Sequence, residues 1–124
     1  MLLATAHEAL AAGDWSAARS RFVAELAQEE SAEALLGLGT AEWWLEERSA
    51  SLRHRERAYA DFRRRPDPLQ AALVALGLVP HYGAALGNLA AAQGWTNRAA
   101  RLVEQFDLAP LRGWVLLCLS LIHI

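Results

Sequence analysis

The feature that most constrains the fold is a helical hairpin pattern that recurs at an offset of 33 residues. In residues 31–66, apolar residues fall at helical spacing in two segments that a short polar turn separates. The first segment is apolar on two sides, whereas the second has one narrow apolar stripe and arginines over the rest of its surface. A helix that is apolar on two sides needs neighbours on both. The pattern therefore predicts the inner and outer helices of a stacked repeat.

Capping signals extend this pattern along the chain. Gly13 is placed to end the first helix and Asp14 to cap the second. Ser49 is predicted as the N-cap of the second outer helix, and Pro80 is predicted to kink the third inner helix. Asp67 and Asn88 are predicted to cap two later helices. The predicted hairpins span residues 2–29, 31–65 and 67–106, and a seventh helix covers residues 110–118.

The end of the chain needs a separate interpretation. Residues 114–124 are nearly all apolar but too few to span a membrane. Residues 119–124 resemble the in-frame translation of a transposon-end sequencing adapter, and we expect them not to be native. The alternative is a genuine apolar strand or helix end. If they derive from an adapter, the native sequence stops near Cys118, and the chain is the N-terminal fragment of a longer protein.

Composition and charge narrow the class of protein. The chain is 54% hydrophobic and 21% charged, which is typical of a folded domain. Residues 1–47 carry a net charge of −7, residues 48–65 carry +5 and residues 66–124 carry zero. The overall charge of −2 argues against nucleic-acid binding, and the start of the chain lacks the pattern of a signal peptide. A single cysteine fits a reducing cytoplasm, so we expect a cytoplasmic protein.

Four segments carry a family resemblance. The turn Gly13-Asp14-Trp15, the inner helix LGLGTAEWWL, the outer helix RERAYADFRR and the helix QGWTNRAARLVE together resemble the tetratricopeptide-like region of actinobacterial LuxR-type transcriptional regulators. The resemblance covers about residues 4–117. It implies an all-α fold, a tetratricopeptide-like right-handed stack of antiparallel helical hairpins (an α-solenoid) over residues 1–118. In such regulators the DNA-reading helix-turn-helix lies at the far C-terminus.

The resemblance also assigns packing residues. The Leu-Gly pair of the inner helix corresponds to Leu38-Gly39, and the closing alanine to Ala58. Ser51 and Arg55 depart from the pattern, because they stand where a small and an aromatic residue are expected. The residues predicted to pack within the repeats are Trp15, Ala18, Phe22, Leu38, Gly39, Trp44, Ala58, Tyr59 and Trp95.

Patterns that suggest catalysis or metal binding have a simpler explanation in each case. The pairs Glu29-Glu30 and Glu46-Glu47 stand at helix ends without a catalytic companion, as solvated turn charges do. The three histidines of the helical part lie in different units and lack the spacing of metal ligands. Gly37-Leu38-Gly39 has no lysine and lies inside a helix, so it is not a phosphate loop. We therefore expect a non-catalytic protein with no cofactor and no metal.

Two surfaces remain as candidates for binding. Trp43 and Trp44 suggest an aromatic ligand site together with Tyr82 and Trp95, although core packing explains tryptophans more simply. A basic surface is the better candidate for protein binding; its alternative is an exposed outer face partly neutralised by acidic neighbours. This basic surface consists of Arg53, Arg57, Arg63, Arg64 and Arg65.

The expected function follows from the resemblance. It implies a helical-repeat region for sensing or assembly in a transcriptional regulator, with a protein partner or self-association and no direct contact with DNA or membrane. The alternative is the repeat module of another signalling protein, such as a nucleotide cyclase or ATPase, or a free-standing adaptor.

A shortened chain tests the adapter interpretation. A chain that ends at Cys118 is expected to melt at the same temperature as the 124-residue chain, because adapter residues would add no native contacts. Thermal unfolding followed by circular dichroism measures this. A clearly lower melting temperature for the shorter chain would show that residues 119–124 belong to the fold.

Overall fold

A computed structural model describes residues 2–122, with side chains described for residues 5–121. The described part is helical throughout and contains no strand, which confirms the predicted all-α class. Residues 123 and 124 of the predicted adapter segment lie outside the described residues. The helices are α1 (Leu2–Ala11), α2 (Trp15–Gln28), α3 (Ala32–Trp44), α4 (Arg48–Arg64), α5 (Pro68–Pro80), α6 (Leu89–Gln105) and α7 (Arg112–Ile122).

The chain divides into two compact units, residues 1–61 and 62–124, with the boundary inside α4. In the first unit, α1, α2 and α3 pack together around small side chains. Phe22 is the largest side chain of this core. The alanines that surround it allow the helices to approach closely. The core consists of Ala6, Ala9, Ala18, Phe22, Ala34, Leu38 and Ala41.

Glycines in α3 make two close approaches possible. A Cβ atom built on Gly37 would overlap the buried ring of Phe22. A Cβ on Gly39 would lie 3.0 Å from Cγ of Arg55 and 3.2 Å from the carbonyl oxygen of Ser51. Gly39 thus has the role that the sequence predicts for it, because it lets α4 pack closely on α3. The importance of Gly37 for Phe22 was not predicted.

In the second unit, α5 packs along α6, and α7 packs against both helices. Its interior is mostly aliphatic, and Trp95 is its one buried aromatic residue among those described. Phe106 was predicted on the buried face of α6 but is 41% exposed, because it follows the last turn as the C-cap. Interior residues include Ala72, Val74, Leu76, Leu78, Ala92, Trp95, Ala99, Leu102 and Val103.

Three of the four predicted helix N-caps are confirmed by hydrogen bonds. The side-chain oxygens of Asp14, Asp67 and Asn88 each accept a bond from the backbone N–H three residues later. The prediction for Ser49 is wrong. α4 begins at Arg48, and the Glu47 carbonyl accepts a bond from the Ser51 N–H, so Ser49 lies inside the first turn.

Residues with positive φ end the first helix of each predicted hairpin. Gly13, Glu46 and Gly87 have φ values of 76°, 65° and 67°, in the left-handed region that favours glycine. After α3, the Glu47 N–H donates to the Glu42 carbonyl and the Glu46 N–H to the Trp43 carbonyl, which is a Schellman motif. The same turn geometry therefore recurs where the sequence differs.

The helix continues beyond Pro80, as predicted, but in a different geometry. Residues His81–Ala85 form a π-helical turn, and the Leu86 N–H donates to the His81 carbonyl. A 3₁₀ turn, Ala109–Leu111, precedes α7. Within the described residues, none of these helices combines the length and apolarity that a membrane crossing needs.

Two glycine substitutions test the packing of α3. Gly37→Ala is expected to lower the free energy of unfolding by about 1–3 kcal/mol, because the new methyl group overlaps Phe22 in a filled core. Gly77→Ala is the control. No atom lies within 4 Å of its added Cβ, so the substitution should stabilise α5 by up to about 1 kcal/mol. Urea unfolding followed by circular dichroism measures both, and equal effects would contradict the close approach.

Candidate functional site

A polar network joins α3 to α4 where the repeat pattern predicts apolar packing. The fully buried hydroxyl of Ser51 donates to the Gly39 carbonyl at 2.6 Å. Nε of Arg55 donates to the same hydroxyl at 3.2 Å, and Nη2 donates to Oγ1 of Thr40 at 3.4 Å. Ser51 and Arg55 are the two departures from the repeat pattern, and here they replace apolar contacts with hydrogen bonds.

A buried carboxylate completes this network. Glu42 is only 6% exposed, and its Oε1 lies 2.7 Å from Nδ1 of His54. Burial lowers the pKa of the Arg55 guanidinium, while the charge of Glu42 acts in the opposite direction. Arginine stays charged even so. The network therefore holds a positive and a negative group between two helices.

Sequence analysis did not single out Glu42 because it lies inside an apolar segment, where a lone acid suggests solvent exposure. The available signal was its spacing, since Glu42 follows Leu38 and Gly39 on the side of α3 that α4 covers. His54 was examined only as a metal ligand. In the structure it is the neighbour of Glu42.

The predicted basic surface is present only in parts. In the first unit, Arg53 and Arg57 are exposed and line a shallow polar depression of about 380 Å³ with His54 and Glu56. Arg57 forms an ion pair with Glu30 of the loop before α3. Such exposed pairs contribute little to stability. The depression has charged walls but no enclosed centre where a reaction could proceed.

The remaining predicted arginines, Arg63, Arg64 and Arg65, belong to the second unit and are all exposed. The guanidinium of Arg65 lies 5.4 Å from the ring centroid of Phe62. The sequence is therefore right about their exposure.

The adjacent tryptophans of α3 have different neighbours, as the two-sided helix predicts. Trp43 lies under the guanidinium of Arg48, with 5.0 Å between the guanidinium carbon and the ring centroid. Trp44 stacks on Trp15 at a centroid distance of 5.7 Å and an interplanar angle of 16°. The prediction that Trp44 lies on the buried face is wrong, since it is 60% exposed at the last position of α3.

The other predicted packing residues are placed as follows. Ala58 of α4 is fully buried, and Tyr59 beside it is half-buried. Trp95 is buried in the second unit, with Arg98 over its ring at 4.5 Å. Tyr82 belongs to the π-helical turn and is half-buried.

An apolar cavity of about 410 Å³ lies in the second unit between the end of α5, the start of α6 and α7. Its walls include Val79, Leu89, Trp114 and Cys118. Cys118 is 5% exposed, and burial raises the pKa of its thiol, which disfavours the reactive thiolate. The outer side of α7 is exposed at Trp114, Leu116, Leu117 and Leu121.

The histidines lie apart from one another in structural roles. His7 makes an edge-to-face contact with Phe22, with 5.1 Å between ring centroids. Nδ1 of His81 lies 2.7 Å from the Gly77 carbonyl oxygen. Throughout the residues that the structure describes, no three His, Cys, Asp or Glu side chains are grouped so that they could hold a metal ion.

Comparison with known proteins adds no assignment. No protein-family model, curated protein or solved structure matches the chain. The function must therefore be argued from the residues and their geometry.

Two serines of α4 test the polar network. Ser51→Ala is expected to lower the free energy of unfolding by about 1–3 kcal/mol, because it leaves the Gly39 carbonyl and Nε of Arg55 without their partner. Ser49→Ala, two residues away on the exposed side, should change it by less than about 0.5 kcal/mol. Chemical denaturation measures both variants. A larger loss for Ser49→Ala would instead support the N-cap role that the sequence predicted.

Proposed function

We propose that this chain is a non-catalytic, tetratricopeptide-like helical-repeat module that binds protein, and that it belongs to the sensing or assembly region of a LuxR-type transcriptional regulator. The observation that carries the repeat interpretation is the recurrence of positive φ at Gly13, Glu46 and Gly87. The first two are 33 residues apart, and the third follows 41 residues later. Each stands between two helices that a short turn connects.

Packing at the consensus positions supports the same proposal. Ala18 and Ala58 are fully buried, and Leu38 is 3% exposed. Gly39 admits α4 at a distance that any side chain would narrow. These are the positions at which a tetratricopeptide-like repeat needs small or apolar residues. A right-handed antiparallel stack is the arrangement that buries each such face on its neighbour.

The charged groups favour binding over catalysis. The most buried of them, Glu42, is held by His54 inside the network and does not line a cavity. A general acid or base needs reach to a substrate as well as burial. The accessible groups are surface arginines, exposed carboxylates and an apolar strip on α7, which are features of a surface that contacts other proteins.

A second candidate function is the repeat module of another signalling protein or a free-standing adaptor. The same helices would serve either purpose. The gene itself discriminates between them: we expect the genomic sequence after codon 118 to encode further helical repeats and then a helix-turn-helix domain. A cyclase or ATPase domain there would favour the alternative.

DNA binding provides an independent test. Residues 1–124 are expected to bind duplex DNA only weakly and without sequence preference, because the net charge is −2 and Arg57 is already paired with Glu30. A titration followed by tryptophan fluorescence at physiological ionic strength measures this, and a chain extended through the helix-turn-helix is the control. Submicromolar, sequence-dependent binding by residues 1–124 alone would overturn the proposal.

A further inference from the structure

The exposed ring of Trp44 is an unusual surface for the end of a helix. One face of the indole is covered by the parallel ring of Trp15, and the side chain is nevertheless 60% exposed. Three other aromatic rings of the described chain have an arginine over one face, at 4.5–5.4 Å. Within the described residues, no cation lies over Trp44. Its outer face is therefore the accessible part of a stacked aromatic pair.

The charges around this pair are predominantly negative. Asp14 immediately precedes Trp15, and Glu46 follows Trp44 after one residue. Two cations are close in sequence, but both are engaged. Arg19 lies 2.9 Å from Oε1 of Glu47, and Arg48 covers Trp43. Asp14 accepts a backbone N–H at the start of α2, and Glu46 is exposed. Two carboxylates thus remain without a cationic partner beside the stacked rings.

The turn after α3 fixes where one of these carboxylates stands. Glu46 has a φ of 65°, and backbone bonds from Glu46 to Trp43 and from Glu47 to Glu42 hold the turn. A glycine would adopt this conformation with less strain. The chain instead has an exposed acid two residues beyond the open tryptophan face.

From this geometry we infer that Trp44, backed by Trp15 and flanked by Asp14 and Glu46, is a receptor for an arginine side chain of a partner protein. A guanidinium within about 6 Å of a tryptophan centroid is attracted by the ring face. Nearby carboxylates add hydrogen-bond acceptors in the geometry that arginine prefers. The inference rests on the proposed function as a protein-binding module and specifies the chemistry of one contact.

Charge complementarity selects a basic segment over an acidic or apolar one. The first unit, residues 1–61, contains six arginines and eleven acidic residues, a net charge of −5. A basic peptide is therefore attracted to this unit before it reaches Trp44. The Trp44 face then distinguishes a planar cation from a diffuse positive charge.

A short peptide with three consecutive arginines, and the same peptide with citrulline in their place, are the probes. Citrulline keeps the size and planarity of arginine but has no charge. In two-dimensional NMR at low ionic strength, the arginine peptide is expected to shift the indole N–H resonance of Trp44, and the citrulline peptide is not. The Trp44→Phe spectrum identifies that resonance.

Affinity measurements complete the test. Trp44→Ala is expected to weaken binding of the arginine peptide about three- to fivefold, and Trp44→Phe by less. Trp114→Ala is the matched control, since Trp114 is 51% exposed in the other unit and should leave affinity unchanged. Glu46→Gln should weaken binding and reduce its dependence on salt. Circular dichroism checks that each variant keeps its helix content.

Several results would overturn the inference. Equal binding by wild type and Trp44→Ala would show that the peptide binds elsewhere, and equal shifts from both peptides would show that the charge is not read. If the protein self-associates and Trp44→Ala abolishes this, the arginine comes from a second copy and not from a different partner. A failed titration would leave the proposed regulator function standing, because that function is tested by the gene and by DNA.

Discussion

The hydrogen bond between Ser51 and the Gly39 carbonyl is the contact on which the first unit depends. At 2.6 Å it is short, and it forms only because Gly39 has no side chain to hold α4 away. Arg55 binds the same hydroxyl, so a single serine links the backbone of α3 to a guanidinium of α4. Losing one partner would leave buried polar groups unsatisfied, which costs more than the bond itself contributes.

The two units thus solve the same packing problem by different means. In the second unit, α5 and α6 meet through aliphatic side chains and alanines, which tolerate small shifts. In the first, Glu42, His54 and Arg55 meet through directional bonds. A buried polar network adds little net stability over apolar packing, but it is satisfied in only one arrangement of the helices. The polar unit is accordingly the one in which register is fixed most strictly.

Sequence patterns predicted the elements of local structure well and the long-range contacts poorly. Asp14, Asp67 and Asn88 could be identified because a cap depends on residues within one turn. Glu46 could not, since the left-handed conformation of a non-glycine residue is imposed by the turn around it. The burial of Glu42 and the exposure of Trp44 depend on which helix lies opposite, and a single sequence does not contain that information. Among the proposed binding residues, the arginines were predicted from composition, whereas the stacking of Trp15 on Trp44 required coordinates.

The π-helical turn after Pro80 has a consequence for the length of the third helix pair. Each bond that closes a wider helical ring accommodates one more residue than an α-helix would hold in the same rise. Residues His81–Ala85 thus lengthen the chain without breaking the helix that contains them. Spacing between successive helix pairs can therefore change while their buried faces stay aligned. A strict 33-residue period is not needed for an array of this kind, and searches for related modules should allow the interval to vary.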